Sequence, residues 1–205
     1  MTLLPAIETE TGPNPTSSVI WLHGLGADGN DFAPIVPELR LPADLQVRFI
    51  FPHAPSIPVT VNGGFVMPAW YDILEMDIDR KVDTEGLISS SGEVEKFVQR
   101  EMERGIESKN IVIAGFSQGG AVAYHFALSF DKPLAGLLAM STYFATADIV
   151  HYNEANSDLQ IAIQHGQYDP VVPEVLAKKA ISELGEKGYS PHYKSYPMEH
   201  SVCPE

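Results

Sequence analysis

The stretch that most constrains the fold is a short apolar run followed by a glycine-rich turn. Residues 111–114 are β-branched or small and apolar, which predicts a buried strand. The next five residues fit the pattern G-x-S-x-G around Ser117, and residues 120–129 favour a helix. A strand, a sharp turn and a helix in this order form a nucleophile elbow, with the helix N-terminus behind the serine. The sequence therefore predicts that Ser117 is a catalytic nucleophile and that the amide of Gln118 is one oxyanion donor.

Strand and helix patterns alternate along the rest of the chain. Residues 2–9 favour an edge strand, and short apolar runs predict further strands at 19–23, 46–51, 134–141, 159–165 and 192–196. Amphipathic spacing predicts two more helices, one opened by a capping box at Ser90 and Glu93 and one around residues 177–184. We expect a doubly wound, mostly parallel α/β sheet with helices on both faces, in a single domain over residues 1–205.

An acid and a histidine follow the later predicted strands. Asp169 comes soon after the strand at 159–165, and His200 comes after the strand at 192–196. A serine nucleophile needs a histidine base that a carboxylate orients, and α/β-hydrolases carry these groups in the order serine, acid, histidine. Because parallel strands end at one edge of a sheet, Ser117, Asp169 and His200 are predicted to meet there as a catalytic triad.

Other residues compete for these roles. Asp72 is the rival acid, although it precedes the serine, and Asp169 has the alternative of being an ordinary turn residue. The rivals of His200 are His165 and His23. We expect His165 to brace the loop of the acid and His23 to order the glycine-rich turn that follows it.

That turn, residues 24–29, matches the dinucleotide-binding pattern G-x-G-x-x-G. The complete fingerprint also needs a helix that opens at the last glycine and an acid at the end of the next strand. Pro34 and Pro37 interrupt the helix, and the next strand ends without an acid. The better interpretation is an oxyanion loop, in which the amide of Leu25 approaches the substrate oxygen.

Residues 52–80 form a long stretch rich in proline and glycine. Irregular segments of this length are usually functional or disordered. Disorder is disfavoured by the apolar side chains Phe65, Met67, Trp70, Tyr71, Ile73 and Met76. We predict an apolar cover over the active site, with Trp70 among the residues that bind substrate; the alternative is that these side chains only seal an edge of the core.

The composition disfavours several classes of function. Thirteen basic residues against 27 acidic ones give a net charge of −14, which repels nucleic acid and anionic lipid. No apolar run is long enough for a membrane span, and the N-terminus does not resemble a secretory signal. The single cysteine, Cys203, suits a reducing compartment, so we expect a cytoplasmic protein. No cofactor is expected. No metal site is expected either, since the histidines give no H-E-x-x-H pattern and one cysteine cannot build a thiolate site.

Seven motifs together resemble the phospholipase/carboxylesterase family, the carboxylesterase and acyl-protein thioesterase branch of the α/β-hydrolases. They extend over nearly the whole chain, at residues 22–29, 52–55, 58–62, 70–73, 115–120, 165–169 and 200–203. The sequence is similar above all to bacterial carboxylesterases of this group. The resemblance implies the triad and oxyanion donors given above, and acyl-chain contacts from Leu25, Val61, Ile73, Met76 and Val171.

We therefore expect a serine carboxylesterase that hydrolyses short- to medium-chain esters through an acyl-serine. An acyl-protein thioesterase or lysophospholipase with the same triad is the alternative, and a hydrolase-fold binding protein without turnover is a further one. Exposed apolar residues of the loop could also contact a second subunit, so a homodimer is a further alternative. Glu199 lies where related bacterial enzymes tend to have a small residue before the histidine, and we expect its side chain to point to solvent. Relatives continue with a helix after the histidine, which we expect to be missing from a chain that ends at Glu205.

Overall fold

The computed structural model of the protein describes residues 2–75 and 81–203. Its strands are β1 (Ala6–Glu10), β2 (Ser17–Leu22), β3 (Val47–Pro52), β4 (Ser56–Val59), β5 (Phe65–Pro68), β6 (Ile111–Phe116), β7 (Gly136–Met140), β8 (Ile161–Gly166) and β9 (His192–Tyr196). The α-helices are α1 (Thr84–Glu103), α2 (Gln118–Ser129) and α3 (Glu174–Glu186). Short 3₁₀ helices lie at Ala33–Leu39, Thr60–Asn62, Ser108–Asn110 and Glu154–Asn156. None of the described helices is both long and apolar enough to cross a membrane.

Seven of these strands form one sheet in the order β1-β3-β2-β6-β7-β8-β9. Neighbouring strands are parallel except at one edge, where β1 pairs antiparallel with β3. The predicted mostly parallel α/β sheet is therefore confirmed. Because β6 is the central strand, the turn that follows it lies in the middle of the carboxyl edge of the sheet, where α/β proteins place their sites.

The two faces of the sheet are buried against different elements. Ile20 and Trp21 are consecutive on β2, so their side chains point to opposite faces. Ile20 belongs to the core cluster that also contains the buried apolar residues of α1, α2 and α3. Trp21 belongs to a second cluster with Phe32 and Val36, at the 3₁₀ helix Ala33–Leu39. Helices α1, α2 and α3 thus lie on one face of the sheet, and this 3₁₀ helix lies on the other. Pro37 lies inside the 3₁₀ helix, where its ring and missing N–H disfavour an α-helix.

Helix α1 begins before the predicted capping box. Its N-cap is Asp83, whose carboxylate accepts a hydrogen bond of 3.0 Å from the N–H of Gly86. Ser90 lies inside the helix, and its hydroxyl donates to the backbone carbonyl of Trp70. The predicted start at Ser90 is wrong because this hydroxyl makes a tertiary contact rather than a cap. That contact ties α1 to the segment that precedes it.

The predicted cover segment contains a β-hairpin rather than irregular chain throughout. Strands β4 and β5 pair antiparallel, and Gly63 and Gly64 at the tip have φ angles of 67° and 78°. Pro58 and Pro68 within the strands obscured this hairpin in the sequence, because proline is rare inside paired strands. Residues 76–80, which include the predicted substrate contact Met76, lie outside the described residues.

A buried carboxylate joins the edge of the sheet to α1. Glu101 is fully buried and accepts hydrogen bonds from Ser18 at 2.5 Å, Arg48 at 2.9 Å and Arg104 at 3.0 Å. Arg104 also pairs with Glu8 of β1 at 2.8 Å. These charged groups therefore hold β1, β2 and β3 against the helix.

Candidate active site

Ser117 lies at the turn between β6 and α2, in a backbone conformation that is strained for a residue with a side chain. Its φ is 52° and its ψ is −121°. A Cβ atom on Gly115 would lie 2.5 Å from the carbonyl oxygen of Gly119, and one on Gly119 would lie 2.5 Å from that of His23. Only glycine fits at these two positions. The turn therefore brings strand and helix together tightly and exposes the serine at the edge of the sheet.

A chain of hydrogen bonds joins Ser117, His200 and Asp169. Nε2 of His200 is 3.0 Å from Oγ of Ser117, and Nδ1 of His200 is 2.7 Å from Oδ2 of Asp169. An Nδ1–H that donates to the carboxylate leaves Nε2 as the acceptor for the serine hydroxyl. The structure thus brings together the three residues that the sequence proposed as a triad.

The carboxylate of Asp169 is buried and held by backbone donors. Its Oδ1 accepts hydrogen bonds from the N–H groups of Val171 at 2.9 Å and Val172 at 2.8 Å. Burial by itself raises the pKa of Asp169, but the hydrogen bonds from His200 and the backbone outweigh it and lower this pKa overall. The group is therefore a charged acceptor for His200. The rival acid, Asp72, instead accepts a hydrogen bond of 2.7 Å from the N–H of Thr60.

The two rival histidines are neutral braces. His165 contacts the carbonyl of Val172 through Nε2 at 2.7 Å, next to the loop of the acid. His23 contacts the carbonyl of Gly24 through Nδ1 at 2.7 Å, and its Nε2 accepts from the N–H of Ala54 at 3.1 Å. Burial lowers the pKa of both His165 and His23. Their bracing roles match the expectations from the sequence.

Two backbone N–H groups are available beside Ser117. The N–H of Gln118 belongs to the first turn of α2, where no intrahelical acceptor exists. The N–H of Leu25 donates to no backbone carbonyl in the described part of the chain. The loop around Leu25 is held by the next residue, Gly26, whose N–H donates to the carbonyl of Pro68 at 2.8 Å. This pair of free donors suits the stabilisation of an oxyanion.

A cavity of about 290 Å³ opens at Ser117, and we call it the serine-side cavity. Leu25 and Gln118 line it together with Ser117 and His200. Its apolar wall includes Ile73, Tyr143 and Val171. Leu25, Ile73 and Val171, which the family resemblance implies as acyl-chain contacts, are among the residues that line this cavity. Among the described residues, no group of three or more His, Cys, Asp or Glu side chains is arranged to hold a metal ion.

The sequence pattern of the phospholipase/carboxylesterase family matches residues 5–205. The chain belongs to this family. It is 39% identical to acyl-protein thioesterase 1 of Neurospora crassa over an alignment of 214 residues. This alignment covers 99% of this chain and 85% of that protein. It is also 39% identical to acyl-protein thioesterase 1 of Saccharomyces cerevisiae over 197 residues, and this alignment covers 92% of this chain and 87% of that protein. The crystal structure of Zea mays acyl-protein thioesterase 2 is 26% identical and superposes with a TM-score of 0.85, covering 98% and 93%.

Membership of the phospholipase/carboxylesterase family confirms the resemblance drawn from the seven motifs. The chain is accordingly a serine hydrolase with the α/β-hydrolase fold. The exposed side chain of Glu199, beside the histidine, agrees with the expectation that it points to solvent.

In this member of the phospholipase/carboxylesterase family, Trp70 has a different place from the predicted one. It is 2% exposed and is not among the residues that line the described cavity. Its indole Nε1–H donates to the backbone carbonyl of His23 at 2.9 Å, behind the glycine loop. Val61 also lies outside the described lining, and its N–H donates to the carbonyl of Ile73 at 3.1 Å. Trp70 therefore supports the glycine loop from behind, which corrects its predicted place on the substrate side, whereas the predicted contact of Val61 with the acyl chain stays a prediction.

Sequence reasoning missed the side chain of Gln118. Its Oε1 accepts from the N–H of Trp70 at 2.8 Å, and its Nε2 donates to the carbonyl of Tyr71 at 2.6 Å. The hydroxyl of Tyr71 is in turn 2.7 Å from that of Tyr143, in the wall of the serine-side cavity. Gln118 thus offers a backbone N–H to the site and fixes the cover segment with its side chain. The partners are 47 residues or more away along the chain, so no local pattern reveals the contact.

Proposed function

We propose that the chain hydrolyses acyl thioesters and carboxylic esters by transferring the acyl group first to Ser117 and then to water. One observation carries the proposal: His200 is hydrogen-bonded to both Ser117 and Asp169, beside two free backbone donors and an apolar cavity. Nucleophile, base, orienting acid, oxyanion donors and acyl site are all required for this chemistry, and all have a candidate here.

In the first half-reaction, Oγ of Ser117 attacks the acyl carbonyl carbon while Nε2 of His200 takes the hydroxyl proton. The tetrahedral oxyanion accepts hydrogen bonds from the N–H groups of Leu25 and Gln118. The bond to the leaving sulfur or oxygen then breaks, and Nε2 gives that atom the proton. The acyl group stays on Ser117.

In the second half-reaction, water attacks the acyl-serine and His200 again accepts and returns the proton. Each time, the imidazole becomes a cation, which the charged carboxylate of Asp169 stabilises. The two backbone donors to Asp169 fix its orientation toward Nδ1 of His200. The same geometry therefore serves both steps.

The substrate class is supported by different observations. The relatives named acyl-protein thioesterase support acylated proteins, with a cysteine thioester as the scissile bond. Short- to medium-chain carboxylic esters, the first expectation from the sequence, are the second candidate. The cavity volume of about 290 Å³ lies at the lower end of the range of ligand pockets, which is about 300–1,000 Å³. A small cavity of this kind supports a short or medium acyl chain. The single cysteine of the sequence supports the cytoplasm as the proposed compartment.

The proposal is tested by intact-mass analysis after reaction with a fluorophosphonate. Wild-type protein is expected to gain one adduct, and Ser117→Ala none. Ser141→Ala is the matched control, because Ser141 is a buried serine at the end of the neighbouring strand β7. This variant is expected to label as wild type does. Turnover of an S-acylated cysteine peptide is expected to fall by at least about 10⁴-fold in Ser117→Ala alone.

Wild-type protein that is folded by circular dichroism but gains no adduct would contradict the proposal and favour a binding protein without turnover. An adduct that persists in Ser117→Ala would assign the activated serine elsewhere. Turnover of esters without turnover of the S-acyl peptide would reverse the order of the two substrate candidates.

A further inference from the structure

A second cavity, of about 470 Å³, lies next to the serine-side cavity, and we call it the histidine-side cavity. Asp31, Phe116 and His200 line both cavities, so the two meet at the catalytic histidine. Ser117 lines only the serine-side cavity. The histidine-side cavity is therefore a separate space beside the same reacting atoms.

The proposed reaction decides which part of the substrate lies in each cavity. The carbonyl carbon bonds to Ser117, and the apolar wall with Ile73 and Val171 suits the acyl chain. The departing sulfur or oxygen takes its proton from Nε2 of His200, so it must lie against the imidazole. The space that continues past His200 is the histidine-side cavity. The leaving group therefore extends into it.

The charge of this region favours a cation. Among the described residues that line the two cavities, Asp31 is the one carboxylate, and no lysine or arginine lines either of them. The rings of Phe32 and Phe116 also line the histidine-side cavity, with centroids 5.5 Å apart. Aromatic faces attract cations, and an ammonium group between such faces and a carboxylate is bound by both.

The side chain of Asp31 takes no part in the hydrogen bonds that hold the turn at residues 28–31. The backbone N–H of Asp31 donates to the carbonyl of Asp28, and the carboxylate of Asp28 accepts from the N–H and the amide group of Asn30 at 2.7 and 2.9 Å. Asp28 therefore stabilises the turn. The side chain of Asp31 is exposed, and within residues 2–75 and 81–203 its carboxylate makes no hydrogen bond or ion pair, so it can meet a ligand at the mouth of the site.

From these observations we propose that the histidine-side cavity binds leaving groups that carry a positive charge near the scissile bond, and that Asp31 is the residue that selects them. The inference rests on the proposed function, because it needs a leaving group at His200. The recognised group is an alkylammonium, either in a small thiol or as lysine side chains beside an acylated cysteine. No new bond is formed; selection occurs by binding while thioester cleavage proceeds as described.

The test compares two butyryl thioesters that differ only in charge. One releases thiocholine, and the other releases its neutral carbon isostere, a dimethylbutyl thiol. The ratio of their kcat/KM values is measured for wild type and for Asp31→Asn, which keeps the shape of the side chain. We expect wild type to prefer the cationic thioester, and Asp31→Asn to lower the ratio by about fivefold. Sodium chloride at about 1 M is expected to lower the wild-type ratio as well, because it shortens the Debye length to about 3 Å.

Asp44→Asn is the matched control. Asp44 is an exposed aspartate shortly before β3 begins, at the opposite edge of the sheet, and its replacement changes the net charge equally. It is expected to keep the wild-type ratio. A second arm replaces the small thioesters by S-acyl cysteine peptides flanked by lysine or by glutamine; a larger effect of Asp31→Asn there would identify basic peptides as the favoured source of the cation.

The outcomes separate the two proposals. If both thioesters are hydrolysed but Asp31→Asn leaves their ratio unchanged, the inference about the leaving group is wrong and the proposed function stands. A drop in the ratio that Asp44→Asn reproduces would also overturn the inference, because overall charge would then explain it. If wild type hydrolyses neither thioester nor an ester, the proposed function itself fails.

Discussion

The indole N–H of Trp70 donates a hydrogen bond of 2.9 Å to the backbone carbonyl of His23. That carbonyl lies directly before the glycine loop that offers the N–H of Leu25 to the site. Nδ1 of His23 is also 2.7 Å from the carbonyl oxygen of Gly24, in the same loop. A buried tryptophan that is not among the residues lining the serine-side cavity thus holds the loop that carries one of the two proposed oxyanion donors.

Replacing Trp70 by phenylalanine is therefore expected to lower kcat more than it raises KM. The variant keeps an aromatic ring but loses the donor to His23, so the loop that carries Leu25 is less firmly held. The loss of one buried hydrogen bond corresponds to about a tenfold lower kcat. Steady-state kinetics on a butyryl thioester measure the effect.

Trp21→Phe is the matched control for this variant. Trp21 is also a buried tryptophan, but its Nε1 has no hydrogen-bond partner among the described residues. Its replacement is expected to leave kcat at the wild-type value. Equal losses of kcat in the two variants would mean that ring size, rather than the hydrogen bond to His23, is responsible.

Replacing two different glycines by alanine is expected to change the free energy of unfolding in opposite directions. A Cβ atom on Gly119 would lie 2.5 Å and 2.6 Å from the backbone oxygens of His23 and Leu22, so Gly119→Ala is expected to lower the free energy of unfolding by about 3 kcal/mol. Gly92 is exposed in α1 and has no atom within 4 Å of an added Cβ. Gly92→Ala is expected to raise that free energy by about 0.5–1 kcal/mol.

Urea denaturation followed by circular dichroism measures both variants under the same conditions. A wild-type midpoint for Gly119→Ala would contradict the close approach of α2 to the end of β2. A destabilised Gly92→Ala would contradict the open surroundings of Gly92.

Stability is expected to fall in mildly acidic solution because of buried histidines. Burial, helped by the neighbouring His151, lowers the pKa of His125 from its ordinary value of 6.5. Below pH 6.5, His125 is protonated in the unfolded chain but stays neutral in the folded protein until the pH reaches its lowered pKa. Acid therefore favours the unfolded state. The contribution of His125 to stability is therefore complete above about pH 6.5 and is lost as the pH falls through the lowered pKa. His23 and His165 act in the same direction.

The free energy of unfolding, from urea curves at about pH 7.5 and about pH 5.5, is expected to be smaller at the lower pH. His125→Gln is expected to reduce this difference, whereas replacement of the exposed His192 by glutamine is expected to keep it. An unchanged difference in His125→Gln would show that this histidine is protonated alike in both states.

The elbow was predictable because its signal lies within a few consecutive residues. The apolar strand, the two glycines that admit close backbone contacts and the following helix are all neighbours of Ser117. The positions of Asp169 and His200 followed from chain order, since each comes after a strand of one parallel sheet. A parallel sheet collects such residues at one edge whatever their distance along the chain.

The remaining parts of the site depend on contacts that no local pattern encodes. Ser90 and Glu93 satisfy the capping pattern, yet the hydroxyl of Ser90 bonds to Trp70, and Asp83 caps the helix. The amide of Gln118 has the same polarity as any exposed glutamine, but it is buried against a backbone segment 47 residues away. Such roles depend on which segments the fold packs together, and this information is spread over the whole chain.

Strand β9, which leads to His200, lies at the edge of the sheet, and among the described strands it pairs with β8 alone. Ser117 instead follows the central strand, which has a partner on each side. Detachment of one border strand would carry the base away from the nucleophile while the interior of the sheet remained paired. If the triad acts as proposed, we therefore expect partial opening at this edge to abolish activity before the protein as a whole unfolds.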